Sequence, residues 1–116
     1  MHKFRHERFT PAFILILLVE EKACGMDILK KMDQLIPGNR NDSAIVYRSL
    51  KTLEKEGMVT FEWHTPETGP AKKNYTITEK GLEALETYRG DVDQRIKILN
   101  FFMDSYDRLK SEKRLQ

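Results

Sequence analysis

The sequence predicts a mainly α fold with a small β component: three short helices, a two-stranded hairpin and one long C-terminal helix. Three observations carry this. Apolar residues group into three helix-like segments ahead of Gly57, they alternate as in a strand between Met58 and Ile77, and helical spacing returns from Leu82 and holds to Leu109. The two strand patterns are separated by Thr65-Pro66-Glu67-Thr68-Gly69-Pro70-Ala71, too rich in Pro and Gly for regular structure.

Residues 1–9 form a basic arm in which Lys3, Arg5 and Arg8 interleave with Phe4 and Phe9. Thr10-Pro11 predicts a helix start, with Thr10 as the cap and Pro11 in the first turn, where its missing N–H costs nothing. The helix over about 11–21 is apolar on every side from Ala12 to Val19, the pattern of a helix buried all round, in part by a second subunit. Ala23-Cys24-Gly25 breaks the run. A second helix over about 25–36 places Ile28, Leu29, Met32, Leu35 and Ile36 on one side, and Pro37-Gly38 stops it. After the polar turn Asn39-Arg40-Asn41-Asp42, a third helix is expected over about 43–56, with Asp42 or Asn41 as N-cap and Gly57 as C-cap.

The strand from Met58 to His64 turns Val59, Phe61 and Trp63 inward; the second opens at Lys72-Lys73 and turns Tyr75 and Ile77 inward. Thr78 caps a helix expected from Glu79 to about Lys113. Its apolar residues Leu82, Leu85, Val92, Ile96, Leu99, Met103 and Tyr106 recur in steps of three and four, with Tyr88, Phe102 and Leu109 beside them and Gly90 interrupting. Two apolar stripes on so long a helix exceed what a small body can cover, so the helix needs a partner. Three helices followed by a hairpin is the order of a winged helix-turn-helix. The organisation expected is an arm at 1–9, a winged domain at 10–78 and a dimerisation helix at 79–116.

Composition narrows the function. Of 116 residues, 40% are apolar and 33% charged, which suits a small body with a large exposed surface better than a deep enzyme pocket. The net charge is +2, so only the placement of charges can argue for nucleic acid. One cysteine, Cys24, and the scattered His2, His6 and His64 offer no disulfide and no zinc-ligand spacing. There is no phosphate loop, no nucleophile beside a base and no paired carboxylates, so neither an enzyme nor a cofactor is expected. The longest apolar run is far too short to span a bilayer and lacks a cleavage site, and a cytoplasmic protein is expected.

The third helix carries the functional pattern. Val46, Leu50 and Leu53 make its buried stripe, while Ala44, Arg48, Lys51 and Lys55 fall on the opposite face. A small residue followed by three cations suits a helix lying in a major groove, with Ser43 and Tyr47 able to bond phosphates and Arg40 and Asn41 leading in. The same face also fits a solvated surface with i,i+4 pairs to Glu54 and Glu56. Lys72 and Lys73 suit a wing that touches the adjacent minor groove, or lysines that protect an edge strand. Together the helix and the wing favour double-stranded DNA as partner.

The segment Val46–Val59 resembles the recognition helix and first strand of the PadR family of bacterial regulators, and Gly69–Gly81 resembles its wing and exit. Ile14–Glu21 and Gly25-Met26-Asp27-Ile28-Leu29 are similar to the family's first two helices. The chain departs from the pattern at Cys24-Gly25-Met26, where His-Gly-Tyr is common, and at Arg48, where many members have Pro. Its single terminal helix resembles the compact branch. Phe9-Thr10-Pro11, Tyr47-Arg48, Gly69-Pro70-Ala71 and Leu99–Tyr106 further resemble a subgroup of polyhydroxybutyrate-responsive repressors.

The resemblance implies a homodimeric repressor whose two recognition helices meet successive major grooves about 34 Å apart on a pseudo-palindromic operator. It also implies release by an apolar small-molecule effector that changes the angle between the long helices. Phe9, Phe13, Val92, Ile96, Leu99, Phe102, Met103 and Tyr106 are then expected to line the dimer interface, either as a dry core or as an effector pocket. The alternative class is a winged-helix adaptor that binds another protein and no specific DNA.

Overall fold

The structure, a computed structural model, describes residues 9–36 and 42–115. The basic arm before Phe9 and the turn carrying Arg40 and Asn41 lie outside the described residues. The elements run α1 (Thr10–Glu20), α2 (Gly25–Leu35), α3 (Ser43–Lys55), β1 (Val59–His64), β2 (Lys72–Ile77) and α4 (Glu79–Ser111). Contacts divide the chain into two compact units, Met1–Leu85 and Glu86–Gln116, so the first turns of α4 belong to the winged body.

Local chemistry sets the ends of α3. Asp42 accepts a hydrogen bond from the Ala44 amide at 2.9 Å, satisfying one of the orphan donors of the first turn. At the other end Gly57 has φ +76°, and the Met58 and Gly57 amides donate to the Leu53 and Glu54 carbonyls at 2.9 and 3.1 Å. That pair of bonds is a Schellman closure, and it needs a residue that tolerates the left-handed region.

The first unit is built on Ile14, Leu15 and Leu18 of α1, Ile28 and Met32 of α2, and Val46, Leu50 and Leu53 of α3, all buried. Strands β1 and β2 pair antiparallel with Val59 opposite Ile77, Phe61 opposite Tyr75 and Trp63 opposite Lys73. A third strand position comes from the α1–α2 connection, where Ala23 and Tyr75 exchange backbone hydrogen bonds at 2.8 and 3.2 Å.

Three expectations change. Helix α1 begins at Thr10 with Phe9 in the cap position, so Thr10 is a buried first-turn residue instead of the cap. Along that helix Ile14, Leu15 and Leu18 face the core of the single chain, while Ile16 and Val19 fall three residues apart on the open side, the side left to a second subunit, with Ile16 51% exposed. Leu35 lies on the buried face of α2 but in its last turn, and is exposed. Burial along β1 falls from Val59 through a half-buried Phe61 to Trp63, 64% exposed, because the hairpin outruns the helices that cover its base.

The second unit is the remainder of α4. Leu99, Phe102, Met103 and Tyr106 follow one another along one side and are all exposed, with the Phe102 and Tyr106 rings stacked at 6.3 Å. Ile98 and Phe101, three apart, widen the apolar arc and are exposed as well.

Candidate nucleic-acid interface

Helix α3 presents Ser43, Ala44, Tyr47, Arg48, Lys51 and Lys55 to solvent, opposite its buried stripe. The i,i+4 pairs that would mark a merely solvated face do not form there: among the described residues no acidic group pairs with Arg48, Lys51 or Lys55. Thr52 Oγ1 donates to the Arg48 carbonyl at 3.1 Å, tying the helix backbone at the middle of this face.

Glu54 reaches instead across to the wing, where its Oε1 lies 3.4 Å from Lys73 Nζ. The same ammonium stands 4.2 Å above the centre of the Phe61 ring. Lys73 is therefore half-buried and held by an anion and an aromatic face, whereas Lys72 is exposed.

Between the start of α2, α3 and β2 lies an open cleft of about 630 Å³, lined by Cys24, Gly25, Met26, Tyr47, Lys51, Glu54, Lys72, Lys73 and Tyr75. Burial, then the nearby Glu54 carboxylate and then Tyr47 push the Tyr75 phenol above its ordinary value of 10.0. The folded state thus holds that proton more tightly than the unfolded one. The stabilisation is full below pH 10 and is lost as pH rises through the folded value. Tyr47 owes its position to Gly25: a Cβ there would stand 2.4 Å from Tyr47 Cε1, so only glycine lets the phenol ring lie across the start of α2.

Of the remaining sites expected from the sequence, Phe9 and Phe13 belong to the first unit and are half-buried. Val92, Ile96, Leu99, Phe102, Met103 and Tyr106 belong to the second, all exposed except the half-buried Val92. Gly25, and Glu54 as partner of Lys73, were not singled out by spacing, because each acts through a residue distant in the chain, while the indole of Trp63, expected inward, is exposed. Among the described residues no cluster of His, Cys, Asp or Glu could hold a metal ion. Nor is any helix among them long and apolar enough to cross a membrane.

An exposed cationic helix followed by a lysine-bearing hairpin defines a winged-helix protein. The profile described as the Transcriptional regulator PadR-like family matches residues 14–87, and the chain belongs to that family of transcription regulators. Solved structures agree on the fold. A PadR family regulator from Clostridium difficile superposes with a TM-score of 0.70 at 20% identity, covering 82% of this chain and 98% of the other. A transcriptional regulator from Clostridium thermocellum gives 0.73 at 23% identity, covering 82% and 90%. Bacillus subtilis PadR, solved in complex with operator DNA, gives 0.62 at 30% identity over 67% of this chain, which spans 45% of that protein. No curated protein matches the chain at a significant level.

Proposed function

We propose that this regulator is a repressor that binds a pseudo-palindromic operator as a homodimer, with α3 in the major groove and the wing on the adjacent backbone. The observation that carries the reading is the exposed run Arg48, Lys51 and Lys55 on one face of α3, unpaired among the described residues, with Lys72 on the wing beside it. The operator complex of Bacillus subtilis PadR supports it. Arg40 and Asn41, which precede the same helix in the sequence, are proposed as further DNA contacts. The apolar arc of the second unit supplies the dimer contact, and an apolar effector that changes the angle between the two long helices would release the DNA.

The test is a fluorescence-anisotropy titration of the protein's own promoter region and of scrambled duplex, repeated across salt concentrations. Specific binding is expected, with log K falling linearly in log salt. Arg48→Ala together with Lys51→Ala is expected to weaken operator binding by at least roughly thirtyfold, at about 1–3 kcal/mol for each lost groove contact. Absence of binding, or equal binding to scrambled duplex, would instead favour a protein-interaction adaptor.

Glu54 acts against the DNA in this reading, since it holds Lys73 and places a negative charge beside the cleft. Glu54→Gln is expected to tighten binding several-fold and to steepen the salt slope by about 0.9, the increment for one more phosphate contact. An unchanged slope would mean that Lys73 stays with the Phe61 ring.

A further inference from the structure

Trp63 is the chain's single tryptophan, and it stands on the distal end of the wing with 64% of its surface open. Register puts it opposite Lys73 and on the same strand face as Phe61 and Val59, the face that turns toward α3 through the Lys73–Glu54 pair. The indole is not a loose surface ring. It meets the Phe61 ring edge to face at 5.6 Å and 86°, and Lys73 Nζ lies 5.9 Å from its centre. The next register pair, His64 opposite Lys72, is exposed and by strand alternation projects from the other face of the hairpin.

We infer that Trp63 is a DNA-contacting residue of the wing, packing its indole against the sugars that wall the minor groove next to the major groove entered by α3. The inference rests on the DNA-binding reading above and names a contact that the cations alone do not supply. The chemistry selects the occupant. An exposed indole with the half-buried Phe61 ring under it and the Lys73 ammonium beside it is a small apolar spot for a protein interface, whereas a deoxyribose–phosphate edge is apolar on its sugar face and anionic on either side. Proteins that enter a minor groove do use apolar side chains there, Phe among them, as wedges between base steps. Phe61 beneath and Lys73 beside fix the ring before DNA arrives, so little side-chain freedom is lost on contact.

The same residue reports on itself. The full-length protein is titrated with duplex fragments that it selects from a genomic library, following anisotropy of the DNA and acrylamide quenching of tryptophan emission. In the free protein the quenching constant is expected to be high and independent of protein concentration. At DNA saturation it should fall several-fold. Trp63→Ala should weaken binding roughly tenfold with the salt slope unchanged, as befits an uncharged contact, while Trp63→Phe recovers most of the affinity. Far-UV circular dichroism verifies that both variants fold.

A saturated complex in which Trp63 remains as quenchable as before, or in which Trp63→Ala binds like the parent, would overturn this contact and leave the DNA-binding reading standing. Quenching that already falls with protein concentration would assign the ring to a second copy of the chain. No anisotropy change with any fragment would overturn both.

Discussion

Replacing Phe102 by Asp is expected to leave a folded monomer that no longer binds operator DNA. Phe102 is 63% exposed and touches Tyr106 along the same helix, so within one chain the substitution removes little packing. The helix itself loses only about 0.5 kcal/mol of propensity. In a two-fold interface the position occurs twice, and each copy would bury a carboxylate without a partner, at several kcal/mol apiece. The dimer dissociation constant should therefore rise by at least roughly a thousandfold, since about 1.4 kcal/mol is a factor of ten. Sedimentation velocity at micromolar concentration reads the change, and circular dichroism verifies that the winged unit is intact. Phe102→Leu, which keeps an apolar side chain of similar bulk, should remain dimeric. A stable Phe102→Asp dimer would remove this stretch of α4 from the interface.

Much of the fold is legible in the sequence because its signals are local. The limits of α3 follow from a cap oxygen at Asp42 and a left-handed Gly57, both within a turn of the residues they serve. Strand alternation likewise identifies which residues of β1 share a face. It cannot tell how deep each one sits: Val59 and Trp63 have the same parity, yet one is buried and the other stands open, because depth depends on where α3 ends relative to the hairpin. The same limit hides the Ala23–Tyr75 bridge, a single residue pair with no period to detect. At the candidate interface, spacing found the cations of α3 and the wing. It did not find that Glu54, on the same helix, is occupied by Lys73 nineteen residues away, nor that Gly25 is the bed for Tyr47. These are tertiary contacts between side chains whose identities alone carry no mark of each other.

Two glycines of α4 make the difference between local and tertiary control measurable, because the same substitution should have opposite signs at them. By propensity alone, Ala in place of a helical Gly stabilises by about 1 kcal/mol. Gly90 lies off the apolar arc, in line with Gln94 and Lys97, and a Cβ there meets nothing within 4 Å. Gly90→Ala should therefore raise the unfolding temperature by a few degrees. At Gly81, which is buried, the added Cβ would stand 2.3 Å from the Met58 carbonyl oxygen and 2.6 Å from Ile77 Cγ1. That carbonyl cannot step aside cheaply, since it accepts the Thr78 amide at 3.0 Å, and Thr78 in turn bonds the Gly57 carbonyl and caps the Gly81 amide at 2.7 and 3.1 Å. Relief would have to move the end of β2 or the first turn of α4, so the propensity gain is overrun. Gly81→Ala is expected to destabilise by about 3 kcal/mol, the upper end for overpacking, and to lower the melting temperature by roughly 10 °C or more. Differential scanning calorimetry on both variants at one protein concentration decides it. A Gly81→Ala protein as stable as the parent would mean that the close approach of α4 to the β1 entry does not constrain the winged unit.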